Sequence, residues 1–462
     1  MQIWIGVENF AKIESAKICI NNYTVLVGPN NSGKTFLMQL MQGMSKKLVY
    51  MMDETIMSIL LANKCEAYKE YVICSENIAE LVSHINSKLS CEKEKIIKEI
   101  FGKNIVIEKL YIDISMEESD VYSLLMIDVA GKNAIENIKR FTEGFEPVAV
   151  EIFSKVQMGM VTIVTKKSTD SQEITPMAIL GAFEKDEMGA LKSALHSVVD
   201  IESLFLPASR TGLMLLYREF FAKKTDKELA FVVKENRLVE DKEHLANLTQ
   251  PVYEFLRFLQ TYSEREDMRK KFEKELIFFE EQLIEGHISV DEQGVFSYSS
   301  ENENNNVPMY LASSMINEVA PLILAITSQN VYNRLIIDEV EASLHPQKQL
   351  ELVRFLNRLS NKGMQIIVST HSDTFVSKLN NLYILSEMVK TNEVDILEQF
   401  NLEKEDLIST EKLFVYEFVN QSNGKSVVRE IKANEKMGYQ FDLFTASAMH
   451  LYEEANKLGE IK

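Results

Sequence analysis

Apolar positions along this chain change period several times, and each change predicts a different element. Gln2 to Phe10 and Ile18 to Val27 read as strands, with Asn9, Asn21 and Asn22 as turn residues. Tyr23-Thr24-Val25-Leu26-Val27 is a short buried strand, and Phe36 to Met41 opens a helix. From about Ser45 to Phe101 the spacing becomes three and four. It runs through Ile56, Ile59, Leu60 and Ala62, then through Ile78, Leu81, Ile85 and Leu89, and predicts a helical insertion. Between Ile105 and Ile179 the period falls to two, in Leu110 to Ile114, Ser123 to Val129 and Gly159 to Thr165. Gly131, Gly144 and Ser168 to Ser171 bound those segments, so an antiparallel meander is expected.

Leu204-Phe205-Leu206 is a buried strand that empties into Pro207-Ala208-Ser209-Arg210-Thr211-Gly212. Such a loop is either a ligand loop at a strand's C-terminal end or a helix start capped by Ser209 or Thr211. Leu213 to Glu285 is helical and charged, a short hairpin or arm whose heptads are too brief for an extended coiled coil. A hairpin with Gly294 in its turn region spans Gly286 to Ser300, and Asn302 to Asn306 is a polar loop. Buried strands follow at Arg334 to Ile337 and Gln365 to Ser369. The last eighty or so residues read as strands at Leu413 to Phe418 and up to Ile431, a Gly424 turn, and an amphipathic helix from Phe444.

Chemistry enters at Gly28-Pro29-Asn30-Asn31-Ser32-Gly33-Lys34-Thr35, which fits G-x-x-x-x-G-K-[ST] between a strand and a helix. Gly28 and Gly33 let the backbone N–H groups turn inward toward phosphate oxygens, and the helix N-terminus adds its positive end. Lys34 is expected to reach the β- and γ-phosphates, and the Thr35 hydroxyl to hold Mg²⁺. The strand ending at Ile337 runs into Asp338 and Glu339. Asp338 is expected at the metal and Glu339 as the group that orients or deprotonates the attacking water. The strand to Ser369 closes on Thr370-His371-Ser372-Asp373, which puts His371 at the same sheet edge as a γ-phosphate sensor.

Composition narrows the class. At 462 residues the chain needs two or three lobes, and 46% hydrophobic with 26% charged residues is ordinary for a globular protein. Cys19, Cys65, Cys74 and Cys91 match no zinc or redox spacing and read as reduced thiols. No signal peptide or bilayer-spanning run is visible, so a cytoplasmic protein without a membrane partner is expected. The net charge of −19 does not attract nucleic acid at long range. Lys46-Lys47, Lys93 to Lys103 and Lys223-Lys224 are local basic stretches, read as solvated helix faces. Nucleic acid stays possible but is not indicated by charge.

In this order, GPNNSGKT at 28–35, ASSMINE at 312–318, LIIDEVEASLHP at 335–346 and VSTHSD at 368–373 resemble the ABC-type ATPase heads of the SMC, RecF and OLD families. They are especially similar to stand-alone AAA-family ATPases found with bacterial anti-phage systems. The resemblance implies an α/β fold, an ABC-type P-loop NTPase head in which a mixed sheet and an antiparallel β lobe carry helical insertions. Its segments would be 1–44 with the phosphate loop, the helical insertion 45–104, the β lobe 105–212, the arm 213–285, the second head lobe 286–380, and a C-terminal α/β segment 381–462. It further implies ATP and Mg²⁺ as ligands, Asp338 and Glu339 as the Walker B pair, Leu344-His345-Pro346 in the D-loop, and His371 as the switch histidine. Arg210 would lie in the place of the Q-loop. Ser313 and Ser314 would contact the γ-phosphate of a second copy, making the protein an ATP-dependent homo-oligomer. The signature lacks the glycines of LSGGQ, and Val340 stands where a proline is usual. No nuclease site follows the head, so a co-encoded effector protein is expected to carry any destructive chemistry. A DNA-binding repair clamp of the RecF or SMC type is the alternative.

Overall fold

A computed structural model of the chain describes residues 1–20, 22–51, 53–64, 68–117, 120–128, 160–168, 174–182, 187–192, 202–234, 248–291, 293–300, 306–391, 396–408, 410–434, 437–441, 449–450 and 452–458. The chain opens with β1 (Gln2–Phe10), β2 (Ile13–Cys19), β3 (Tyr23–Val27) and α1 (Lys34–Tyr50). Next come α2 (Glu54–Leu60), β4 (Leu61–Lys64), β5 (Lys69–Ile73) and α3 (Ser75–Phe101). β6 (Lys109–Ser115), β7 (Asp120–Asp128), β8 (Met160–Ser168), β9 (Ile174–Ala182) and β10 (Ser203–Leu206) follow. Helices α4 (Arg210–Lys234), α5 (Gln250–Gln260), α6 (Glu266–Lys271) and α7 (Glu273–Phe278) then lead through a π-helical turn, Phe279–Ile284. Strands β11 (Gly286–Val290), β12 (Phe296–Ser300) and β13 (Val307–Pro308) precede α8 (Ser314–Thr327). The chain ends through β14 (Arg334–Ile337), α9 (Pro346–Asn361), β15 (Gln365–Thr370), α10 (Asp373–Thr391), β16 (Leu413–Asn420) and β17 (Ser426–Ile431).

Among the described residues, nine strands make one mixed sheet in the order β10-β14-β15-β3-β16-β17-β2-β1-β6. Its first five members run parallel to one another, so their C-terminal ends share one edge. Parallel strands covered on both faces require nearly continuous apolar sequence. Val25 to Val27, Leu335 to Ile337 and Ile366 to Val368 supply it, all buried. Val25, Val27, Leu335, Ile337, Ile366 and Val368 pack with α4 to α10 on one face. Leu26, Ile336 and Ile367 point the other way, into a core shared with α1 and α3. The period of two within each strand thus assigns its side chains to two separate cores.

Several expectations change. The insertion at 45–104 is not wholly helical, because Leu61–Lys64 and Lys69–Ile73 are strands. Tyr71 and Ile73 alternate inward from β5, and this short period-two run lies between two helical ones. It joins an antiparallel sheet ordered β4-β5-β7-β8-β9. Of the expected meander, β6 belongs elsewhere: it pairs with β1, placing Ile112 opposite Ile5. The described part of the expected arm beyond residue 248 is core. Phe255, Leu259, Phe272, Leu276, Phe279 and Leu283 are all buried against the main sheet's helices. Helical spacing reveals an apolar stripe but not whether that stripe meets solvent or protein. Residues 235–247 of the same stretch lie outside the described residues.

The C-terminal strands complete the main sheet, with β16 directly beside β3. The hairpin of β11 and β12 is as expected, with Gly294 at a φ of 71° in its turn. The loop expected at 302–306 and the start of the helix expected from Phe444 fall largely outside the described residues. Cys19, Cys74 and Cys91 are free thiols, and Cys65 lies outside the described residues. No described helix is long and apolar enough to cross a membrane.

Candidate functional site

Four neighbouring parallel strands deliver the site. β3 leads into Gly28, β14 into Asp338, β15 into His371 and β10 into Pro207. Open α/β sheets bind ligands at such an edge because loops leaving the strand ends converge there. The loop after β3 is tightly held. Gly28 has a φ of +144°, and a Cβ on it would lie 2.7 Å from the carbonyl oxygen of Phe418 in β16. Gly33 has a φ of +101°, and its Cβ would lie 2.8 Å from Ile13 Cγ1. A larger residue at either position must displace backbone or core. Lys34 Nζ donates to the carbonyls of Gly28 and Pro29, both at 2.9 Å, and to Ser32 Oγ at 3.4 Å. Those acceptors are neutral. Burial pulls the Lys34 ammonium down to about 8, against the attraction of Asp338, Glu339 and Glu341.

The acidic turn meets this loop. Thr35 Oγ1 donates to Asp338 Oδ2 at 2.7 Å, joining residues 303 positions apart. Ser369 Oγ donates to the other Asp338 oxygen at 2.6 Å and accepts from the Glu339 N–H at 2.8 Å. Asp338 is buried, whereas the Glu339 side chain is exposed. Glu339 takes a φ of 47°, a left-handed conformation that is uncommon for a residue with a Cβ. Partial desolvation, then the charges of Asp338 and Glu341, hold its carboxyl above the ordinary range. A carboxylate so raised is a better proton acceptor than a free one.

His371 follows β15, the strand between those of the acidic turn and the phosphate loop, and is half-buried. Desolvation and the neighbouring Lys34 charge lower its pKa, while Glu341, Asp338 and a hydrogen bond to the Gly28 backbone act the other way. The His371 N–H donates to Glu341 Oε1 at 2.6 Å, so the acidic turn and the histidine loop are tied. Ser372 Oγ donates to Gln349 Oε1, and Gln349 Nε2 donates to the Leu344 carbonyl at 3.0 Å. His345 caps α9, accepting from the Gln347 N–H at 3.4 Å. Glu341 and Ser369 lie inside the segments LIIDEVEASLHP and VSTHSD without an assigned role, and Gln349 did not stand out in the sequence. For Gln349 the signal was position alone, ten residues past Glu339.

Ser313 caps α8, accepting from the Ile316 N–H at 3.3 Å, and both Ser313 and Ser314 are exposed. Neither touches the phosphate loop of its own chain in the contacts described. Arg210 departs from expectation. It starts α4 and is only 2% exposed, with its guanidinium beneath the acidic turn. Nε donates to the Glu318 carbonyl at 2.9 Å, and Nη1 to the carbonyls of Asp338 at 2.8 Å and Pro207 at 3.2 Å. Nη2 donates to the Glu339 carbonyl at 3.2 Å and lies 3.0 Å from Glu318 Oε1. Arg210 is therefore a brace within the chain and not a free cation facing a nucleotide. Of the two sequence readings of Pro207 to Gly212, a helix start is observed, with the Leu213 N–H bonded to the Ser209 carbonyl at 3.2 Å, but the expected cap is not seen at Thr211, whose hydroxyl turns to Glu318.

These residues fit a magnesium nucleotide. Thr35 and Asp338 offer hard oxygen donors already side by side. Lys34 is a desolvated cation bonded only to neutral oxygens. The first N–H groups of a helix lack intrahelical partners, and those of α1 are available to an anion.

Residues 1–376, well over half of the chain, match the family model described as an AAA ATPase domain. No curated protein matches the chain. Among solved structures, the SMC head domain from Thermotoga maritima is similar at 11% identity, with 94% of this chain and 100% of that chain covered and a TM-score of 0.33. An SmcHead bound to the C-winged helix domain of ScpA is similar at 10% identity, with 93% and 97% covered and a TM-score of 0.35. A third, a Smc head domain with an extended coiled coil bound to the C-terminal domain of ScpA, derived from Pyrococcus furiosus, shows 12% identity, 98% coverage of both chains and a TM-score of 0.34. At such identities and scores the assignment rests on the family match. The edge that joins a phosphate loop to an acidic turn and a histidine lies within the matched residues, and the chain belongs to the AAA ATPase domain family.

Proposed function

We propose that this protein binds ATP with Mg²⁺ at the parallel-strand edge and hydrolyses it slowly, as a nucleotide-controlled switch. The observation that carries the reading is the Thr35–Asp338 contact of 2.7 Å, which joins the phosphate loop to the acidic turn. Gly28 to Thr35 cradle the phosphates with backbone N–H groups, and Lys34 exchanges its carbonyl partners for phosphate oxygens. Thr35 and Asp338 would hold the metal. Bound magnesium supplies neutralisation of charge developing on the phosphate oxygens. Glu339, exposed and raised in pKa, accepts the proton of the attacking water. His371, lowered in pKa and therefore mostly neutral at pH 7, donates one ring hydrogen bond toward the γ-phosphate.

Support for pairing comes from Ser313 and Ser314, which lie exposed at the start of α8, where helix N–H groups can meet a second copy's nucleotide. Association then becomes the output of the cycle, and a partner effector protein can read it.

Binding tests the first half. Lys34→Ala should weaken ATP binding by at least tenfold in calorimetry with Mg²⁺, and parental affinity in that variant would remove the assignment. Mixing tests the second half. Lys34→Ala and Ser314→Arg subunits, each inactive, should regain part of the activity together, because one site of a mixed pair carries neither lesion. Mixed pairs that form and stay inactive would refute completion in trans.

A further inference from the structure

The brace beneath the acidic turn also reaches the exposed loop before α8. Asn317 and Glu318, consecutive and both 2% exposed, divide the two tasks. Asn317 Nδ2 donates to the carbonyls of Met309, Ala312 and Ser313 at 2.8, 3.3 and 3.2 Å. Glu318 Oε2 accepts from the Thr211 N–H at 2.9 Å and from its hydroxyl at 2.6 Å, while Oε1 faces Arg210. Thr211 Oγ1 also lies 3.1 Å from the Ser314 carbonyl. Arg210 then grips the carbonyls of Asp338 and Glu339. A planar fork sets two directions at once, and here it fixes consecutive peptide groups on either side of Glu339's left-handed turn. Such a backbone conformation persists only where the surroundings over-determine it.

We infer that Arg210, Thr211 and Glu318 are positioning residues that couple the loop Met309–Ser313 to the carboxylate of Glu339. Any contact that shifts that loop is transmitted through α8 to the water-activating group. The loop carries Tyr310 at 70% and Leu311 at 66% exposure, so it is the part of this chain of contacts that another molecule can touch. The inference rests on the hydrolysis proposed above for its effect on rate, but the coupling itself is readable without it.

The test uses the full chain with Glu318→Gln, which keeps the side-chain shape and removes the charge, and Arg210→Lys, which keeps the charge and loses the fork. Hydrogen exchange is read by mass spectrometry over 338–344, 309–313 and 23–27, alongside the kcat and ATP affinity of each variant. Both variants should speed exchange at 338–344 and 309–313 by about tenfold and leave 23–27 unchanged, because the brace, not the sheet, is lost. kcat should fall about tenfold or more, with ATP affinity held within about threefold. If Arg210→Lys does not fold, Thr211→Val, which removes only the hydroxyl link, decides in its place. Parental exchange at 338–344 in folded variants would overturn the coupling. So would acceleration that spreads equally to 23–27, the mark of general loosening. A parent protein that hydrolyses no ATP would sink the hydrolysis reading, and the exchange pattern alone would still support or overturn the brace.

Discussion

Two buried arginine sites in this molecule use the same chemistry for different ends. At the C-terminal side, the Asp406 side chain is fully buried between Arg354 and Arg358, at 2.8 and 2.7 Å. Arg358 also stacks over Phe278, 4.1 Å from its ring centre. That clasp ties the turn at Lys404–Asp406 to α9 and α7. Asp406 takes a bond from each cation and a backbone N–H from Glu403 at 2.9 Å, while Glu351 adds a second acid to Arg354 and Glu403 one to Arg358. At Arg210 the acid, Glu318, takes only part of the guanidinium, and the remaining donors go to main-chain carbonyls, those of Asp338 and Glu339 in the acidic turn among them. The first arrangement holds elements together. The second holds a conformation. Stability measurements should see the clasp, and turnover should see the brace.

The largest effect expected on stability is at the clasp. Asp406→Ala removes the fully buried acid that both guanidinium groups share, leaving Arg354 with Glu351 and Arg358 with the exposed Glu403, which costs about 3–5 kcal/mol. Urea unfolding measures it, and a loss below about 1 kcal/mol would mean the charges find water instead. Phe279→Ala should follow closely, at about 3–5 kcal/mol, because Phe279 is fully buried and packs edge-on to Phe355 at 4.9 Å. Retention of parental stability would return residues 250–284 to the status of a detachable arm.

Acid should discriminate the two sites next. Burial raises the Asp406 carboxyl, but hydrogen bonds from Arg354, Arg358 and the Glu403 backbone outweigh it, so its folded pKa lies below the ordinary value. Its contribution is therefore present above the unfolded pKa of about 4 and is lost as pH falls from there through the folded value. Asp406→Asn should flatten that part of the stability curve, and an unchanged acid limb would argue against the clasp. The smallest effect belongs to Ser313→Ala. Loss of its helix cap should cost about 1 kcal/mol, far less than its effect on turnover if the exposed loop meets a second copy.

The contrast also marks what the sequence could reveal. The phosphate loop and the acid pair were legible because strand, glycines and carboxylates occur as contiguous runs, and the sheet edge follows from them. Arg210 was misread because loop position says nothing about which way a side chain turns. Its partner Glu318 lies 108 residues away on an apolar helix, closing the segment ASSMINE, where nothing marks it as the partner of Arg210. The same limit hid β6 and β16, whose alternation predicted strands but not neighbours. Phe272, Phe279 and Leu283 carried helical spacing that looked identical for an exposed arm and a core layer.

Glu339 is proposed as the base of an ATP-hydrolysing edge. Phosphate release from ATP by purified Glu339→Gln, measured beside the parent with Mg²⁺, tests it most directly. The account predicts a rate lower by about 10²–10⁴-fold, with ATP bound as tightly as in the parent and recovered intact. A variant that releases phosphate at the parental rate would contradict it.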